Sequence, residues 1–319
     1  MYARVISPMK IGLLCWVRHA LLRWVRATSL DVVSETYAVT ELAKRAARQA
    51  GELALEGFRA RDLVITAKTD RHDLVTHYDR ACEALIRCAI LDEFADASIV
   101  GEEGASVEGS GSLTWYIDPI DGTSNFARGI AMWAVSIGVA RDGELISGVI
   151  YDPVSEHLFW ADDRGAFLTE GAAGHDQVLR SWGRTQPEDA TVALNFPLPR
   201  DLVHLPELAL EQFAQVTKSF AQVRGLGSTC IALAWIAAGW IDATISFETN
   251  AWDVAAGSFI IRQAGGTYRS YRDGALVPEA GDFLGPHYFA AVPGAEFDLL
   301  HEILRTQSTR PHPNDELRS

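Results

Sequence analysis

The segment from Trp115 to Gly129 reads W-Y-I-D-P-I-D-G-T-S-N-F-A-R-G. Leu113 to Ile117 has the apolar, β-prone character of a short strand, and it hands the chain to two carboxylates, Asp118 and Asp121, around a proline. Pro119 cannot donate to a ladder and fixes its own φ, which predicts that the strand stops there. Three-residue spacing through such a turn can aim both carboxylates at one centre, an arrangement that suits a hard divalent cation such as Mg²⁺. Gly122-Thr123-Ser124-Asn125 then reads as a helix start with hydroxyl caps and free backbone N–H groups. Beside metal-binding acids, such an N-terminus is a place for a phosphate. An acidic turn with a good cap would read the same way, so the rest of the chain has to decide.

Composition bounds the choice. A chain of 319 residues, 48% hydrophobic and 22% charged, can bury a sizeable core in one large or two medium domains. Its formal net charge of −14 argues against nucleic-acid binding as the main activity, which usually leaves a basic footprint. Cys15, Cys82, Cys88 and Cys230 show no metal-finger or C-x-x-C spacing, so free thiols in a cytoplasmic setting are expected. No apolar run approaches the roughly 18 residues of a membrane span.

Four stretches divide the chain. Residues 1–34 carry Arg4, Lys10, Arg18, Arg23 and Arg26 with no acid before Asp31, and apolar residues at helical spacing. This basic amphipathic extension could make weak contact with a membrane surface through residues 1–30 or dock on the body of the protein. An over-early start codon would look the same. Residues 35–184 form an α+β half. There Val39, Leu42, Ala43, Ala46, Ala50 and Ala54 mark one helical stripe, and Asp79 opens a second helix. Ser98 to Val100 is read as a strand delivering Gly101-Glu102-Glu103-Gly104, and Arg141-Asp142-Gly143-Glu144 as the turn of a hairpin. The expected order is helix, helix, antiparallel sheet. Residues 185–306 alternate strands with helices, an α/β half, and residues 307–319 are a polar tail.

Four further acids stand near element ends: Asp79, Glu102, Asp253 in W-D-V-A-A-G, and Glu248 just before it. Taken together, Gly101-Glu102-Glu103, Asp118 to Phe126 and Trp252 to Gly257 resemble, in order, the three diagnostic segments of the inositol monophosphatase superfamily. The upstream D-L-V-T-x-x-D is present as Asp73 to Asp79, with Lys68 before it. The resemblance spans roughly residues 37–305. A D-x-D-G-T phosphatase of the haloacid-dehalogenase kind fits poorly. Two residues separate the aspartates here, so they do not share a strand face, and W-D-V-A-A-G has no place in that family.

The resemblance implies a layered α-β-α-β-α sandwich of the sugar phosphatase type and a homodimer. It implies two or three Mg²⁺ ions and hydrolysis of a small phosphorylated metabolite by metal-activated water attack. One ion would be held by Glu102, Asp118 and the carbonyl of Ile120, a second by Asp118, Asp121 and Asp253, and a third near Glu102. Thr123 and Asp79 would orient the water, and the N–H groups of Gly122 and Thr123 would grip the phosphate. Lys68 would lie on a loop near the third ion. Trp252, Ala255, Ala256 and Gly257 read as packing residues, and Glu103 as a brace for its loop rather than a ligand.

Two departures concern the alcohol side of the substrate. Where relatives acting on inositol phosphates carry a glutamate, seven residues before Asp253, this chain has Ser246. Glu248, on the same strand face if the strand continues, could substitute. In Gly227-Ser228-Thr229, Thr229 stands where a small residue is usual. Inositol 1-phosphate, histidinol phosphate and nucleotide 3′-phosphates are therefore all open as substrates. From another class, so is a regulatory binding protein that retains the metal site.

Overall fold

The computed structural model describes residues 35–60, 65–67, 74–198 and 201–309. The basic extension, Lys68, Asp73 and the tail beyond residue 309 lie outside the described residues.

Helix α1 (Glu35–Gly57) buries the expected stripe, Val39, Leu42, Ala43, Ala46, Ala50 and Ala54. Its small residues let it lie close to what it covers: a Cβ on Gly51 would stand 2.7 Å from both Pro153 and Tyr151. A short hairpin, β1 (Ile65–Ala67) with β2 (Leu74–Thr76), leads into α2 (His77–Glu93). Helix α2 starts two residues before Asp79, because Thr76 is its N-cap and Asp79 the third helical residue of a capping box.

Seven strands follow: β3 (Ser98–Gly101), β4 (Leu113–Asp121), β5 (Ala134–Arg141), β6 (Glu144–Asp152), β7 (His157–Asp162), β8 (Gly165–Glu170) and β9 (Asp176–Val178). They form one sheet in sequence order, antiparallel except that β3 runs parallel to β4. The sheet is thus not purely antiparallel as expected, and β8 and β9 extend it. The Asp142-Gly143 turn joins β5 to β6 with both residues at positive φ, 50° and 86°, as a tight hairpin with right-handed strand twist requires.

This sheet is covered on both faces. Along β4, Trp115 and Ile117 point to one core and Tyr116 to the other; along β7, Leu158 and Trp160 alternate with Phe159 and Ala161 in the same way. Helices α1 and α2 close the first face. On the second lie α6 (Thr229–Ala237) and α7 (Ala251–Gln263), packed on each other and on β4 to β6. Helix α6 is buried almost all round, which its uniformly apolar sequence demands. Helix α7 sits directly on the sheet: a Cβ on Gly138 would come within 2.6 Å of the Ala255 Cβ, and one on Gly148 within 2.6 Å of the Ala256 carbonyl oxygen. Ala255, Ala256 and Gly257 are packing residues, as read from the sequence.

Beyond α6 and α7 lies a six-stranded sheet, in the order β11-β10-β12-β15-β13-β14. Its strands are β10 (Thr191–Leu194), β11 (Gln222–Arg224), β12 (Ala243–Ser246), β13 (Thr267–Arg272), β14 (Ala275–Leu276) and β15 (His287–Ala291). Strand β10 runs parallel to both β11 and β12. Helices α4 (Asp201–His204), α5 (Pro206–Ser219) and α8 (Asp298–Gln307) complete the outer layer, with α8 contacting β15 and α5. The layers run α-β-α-β-α.

Candidate active site

Strand β4 does not stop at Pro119. It runs to Asp121, with its register against β5 shifted between Asp118 and Asp121. Strand β3 pairs with β4 only as far as Ile117, so Pro119 falls where the ladder is interrupted and its missing N–H costs nothing. Asp118 Oδ1 accepts the N–H of Ile120 (3.1 Å), which shapes the turn. Gly122 follows at φ 91°, and a Cβ there would stand 3.0 Å from the Met132 carbonyl oxygen and 3.2 Å from Ser228 Cβ. Only glycine fits that conformation and approach. It caps the five-residue helix α3 (Thr123–Ala127) without a side-chain bond, so the expected hydroxyl cap does not form. Asn125 donates instead to the carbonyls of Met132 (2.7 Å) and Leu226 (2.8 Å), tying this loop to the one before α6.

Two acids arrive by one local device. Asp79 and Asp253 each occupy the third position of a helix, α2 and α7. Each spends Oδ2 on the backbone N–H of its N-cap residue, Thr76 at 2.8 Å and Asn250 at 2.6 Å. Asp79 Oδ2 also accepts the Thr76 hydroxyl (2.6 Å), while Asp79 Oδ1 accepts that of Thr123 (3.1 Å). Asp121 is gripped by the start of α6. Its Oδ2 accepts the Ser228 hydroxyl and the Cys230 N–H (2.8 Å), and its Oδ1 the Thr229 N–H (3.3 Å). The Cys230 thiol contacts the Asp253 carbonyl oxygen at 3.3 Å, which locks α6 to α7 beneath the acids.

Asp118, Asp121 and Asp253, from β4 and α7, therefore converge. Carboxylate oxygens from the three lie within 4.8 Å of one another, with Asp118 only 2% and Asp121 8% exposed. Glu102, one residue beyond β3, joins them by hydrogen-bonding Asp118 and adding its charge to the cluster. Burial, then the charges of Glu102, Asp121 and Asp253, push Asp118 well above the ordinary carboxylate range. Asp253 is raised to about 8, chiefly by burial and against the Asn250 N–H. Asp121 is raised to about 6, burial outweighing Ser228 and the two N–H groups. Asp79 is raised as well, by burial despite its Thr76 and Thr123 donors. Acids crowded this way hold protons unless a cation replaces them, and an all-oxygen donor set suits Mg²⁺. The residues fit the metal that the sequence implied.

The other expected residues fall into place unevenly. The Ile120 carbonyl, in the turn between Asp118 and Asp121, accepts the Thr123 hydroxyl (3.0 Å). Ser246 ends β12 and lines a narrow cavity of about 10 Å³ together with Thr229, so the two departures from the family pattern meet in one place. Glu248 does not share a strand face with Ser246. The strand has ended, Glu248 turns to φ 56°, and its N–H is bound to His287 Nδ1 (3.2 Å). Three supporting residues were not singled out from the sequence. Thr76 and Ser228 carry the cap hydroxyls, and the T-x-x-D spacing of Thr76 and Asp79 was the visible signal for the first. Glu83, bridged to Arg87 at 2.9 Å, accepts the N–H groups of Glu103 (2.7 Å) and Gly104 (2.9 Å) and so fixes the loop that presents Glu102. No local pattern marks it.

The layered fold and clustered acids are those of the sugar phosphatase class. Residues 36–308 match the inositol monophosphatase family. The chain is 36% identical over 251 residues to a Pseudomonas aeruginosa protein named Nus factor SuhB, covering 78% of this chain and 86% of that one. It is 35% identical over 229 residues to the inositol-1-monophosphatase of Caulobacter vibrioides, covering 71% of this chain and 85% of that one. The crystal structure of extragenic suppressor protein suhB from Bartonella henselae superposes with a TM-score of 0.72 at 27% identity, covering 84% of this chain and 98% of that one. The chain belongs to the inositol monophosphatase family and is a phosphoric monoester hydrolase. Among its described residues, no helix is long and apolar enough to cross a membrane.

Proposed function

We propose that the protein is a Mg²⁺-dependent phosphomonoesterase of the cytoplasm, acting as a homodimer on a small phosphorylated alcohol. The observation that carries this is the meeting of Asp118, Asp121 and Asp253 within 4.8 Å, with the Asp79–Thr123 pair joined to the same turn. Glu102, Asp118 and the Ile120 carbonyl would hold one ion, Asp118, Asp121 and Asp253 a second, and Glu102 would face a third. Mg²⁺, when bound, neutralises the phosphate, stabilises the leaving alkoxide and makes a water easier to ionise.

The chain's own groups do the rest. The Thr123 hydroxyl is shared between Asp79 Oδ1 and the Ile120 carbonyl. If that carbonyl held a cation, the hydroxyl would donate to Asp79 alone. The Thr123 oxygen is then free to accept from the attacking water. Asp79, raised by its burial, is suited to take up the proton that the water releases. The N–H groups of Gly122 and Thr123 would hold phosphate oxygens, and Asp253 and Ser246 would face the alcohol, with Glu248 as the substitute for Ser246. An intact set of this kind favours turnover over a purely regulatory binding role.

Ser246 is shorter than a glutamate and uncharged, so a polyol hydroxyl loses its partner there, at a cost of about 1–3 kcal/mol. Inositol 1-phosphate should therefore be a poorer substrate than another small phosphomonoester, with histidinol phosphate the first to try. The test is kcat/KM for both in wild type and Ser246→Glu. The substitution should raise activity toward inositol 1-phosphate. A wild type that strongly prefers inositol 1-phosphate, with the preference lost in Glu248→Gln, would show that Glu248 fills the role.

A further inference from the structure

Next to the narrow cavity under Ser246 and Thr229 lies a much larger hollow of about 570 Å³, within the range of pockets that hold small molecules. It lies along edge strand β11, between that strand and α5, and reaches past the C-terminal end of β10, the side of an α/β sheet on which ligands bind. The two cavities share Leu194 and Asn195. The smaller one is also lined by Ser228, whose hydroxyl is bonded to Asp121. The hollow therefore adjoins, through Leu194 and Asn195, the cavity whose wall includes the Ser228 that binds Asp121. Asn195 is held at the junction by the Gly227 N–H (3.3 Å).

The hollow differs in chemistry from the acid cluster. Phe196, Pro197, Phe213, Phe220 and Val223 supply apolar wall. Two of the rings are braced from behind, Phe196 by Phe247 (5.7 Å) and Phe220 edge-on by Phe297 (5.1 Å). The chain carries 42 acidic against 28 basic residues, yet no carboxylate is among the described lining residues and the single charged one is Arg224. Ring hydroxyls of a polyol placed here would face phenyl groups and lose their water. A flat apolar ring would bury its faces against them, and the guanidinium of Arg224 can stack on such a ring.

We propose that this hollow is a leaving-group subsite. The enzyme would prefer phosphomonoesters whose alcohol carries an aryl or similarly flat apolar group on a short linker beyond the ester oxygen. This rests on the phosphatase reading above, and names the substrate class of that same site.

Ethyl phosphate and 2-phenylethyl phosphate test it. Both release a primary alkyl alcohol, so the reacting centre is matched and only the ring differs. In wild type with Mg²⁺, kcat/KM should be about ten- to a hundredfold higher for the phenyl ester, from burial of the ring. Phe213→Ala, which removes a half-exposed wall, and Ala221→Trp, which fills the space from an exposed position, should each bring that ratio close to one. Both should leave ethyl phosphate turnover unchanged. A wild-type ratio near one, or a high ratio retained in both variants, would overturn the subsite while leaving the phosphatase in place. Failure to hydrolyse the phenyl ester, in a preparation that releases phosphate from other small phosphomonoesters with Mg²⁺, would overturn the subsite alone.

Discussion

Raising the pH of the metal-free protein from about 5 to about 9 should destabilise it, and Mg²⁺ should restore about half of the loss. Asp253 is held near 8 and Asp121 near 6, against 3.8 for an ordinary aspartate. Below 3.8 the folded and unfolded chains both bind these protons. Between 3.8 and about 8 the folded chain keeps protons that the unfolded chain has released, so stability falls as pH rises. Above about 8 both states are ionised and the effect levels off. At about 1.36 kcal/mol per pH unit, the part of this loss that falls between pH 5 and 9 is several kcal/mol, on the order of 5. A cation that binds only the folded, ionised cluster returns about 2.7 kcal/mol at a hundred times its Kd. Urea melts at about pH 5, 7 and 9, in chelator or in Mg²⁺, would read both effects. Asp253→Asn should flatten the upper part of the metal-free profile and blunt the response to Mg²⁺. Metal-free stability that stays level or rises across the window would refute the reasoning, as would an unchanged slope in Asp253→Asn.

Ser228→Ala removes both the α6 cap and a buried donor to Asp121; it should cost about 1–3 kcal/mol in urea melts and weaken Mg²⁺ activation, measured as a higher Mg²⁺ midpoint for phosphate release. Gly138→Ala would force a methyl within 2.6 Å of Ala255; a destabilisation of about 1–3 kcal/mol is expected, with turnover falling because α7 carries Asp253, and a neutral result in melting and kinetics would mean that α7 tolerates displacement.

Most of the site was legible in the sequence because its chemistry is written in contiguous runs. Asp118 to Thr123 and Trp252 to Gly257 each carry their ligand, turn and packing residues together. What was not legible depends on contacts between distant segments. Ser228 bonds Asp121 across 107 residues, and the close packing of Ala255 on Gly138 appears only once α7 lies on the sheet. Pro119 announces a break but not its form. The strand absorbs the proline as a register shift, which β5 permits because β3 has already ended. The exposed strand β9 and two-residue β14 carry too little hydrophobic alternation to be read. Glu248 shows the opposite failure, since strand alternation was extended two residues past the strand's end at Ser246, to the residue where the backbone turns to positive φ.

The central claim is that Asp118, Asp121 and Asp253 hold metal for phosphate ester hydrolysis. Phosphate release from a panel of small phosphomonoesters, with and without Mg²⁺, in wild type and in Asp118→Asn, tests it most directly. Asp118→Asn keeps the size of a side chain that is 2% exposed but removes the charge that both main ions would share. Wild type should require Mg²⁺, and the variant should be folded yet slower by several orders of magnitude on every substrate. Near-normal, Mg²⁺-dependent turnover in the folded variant would contradict the account.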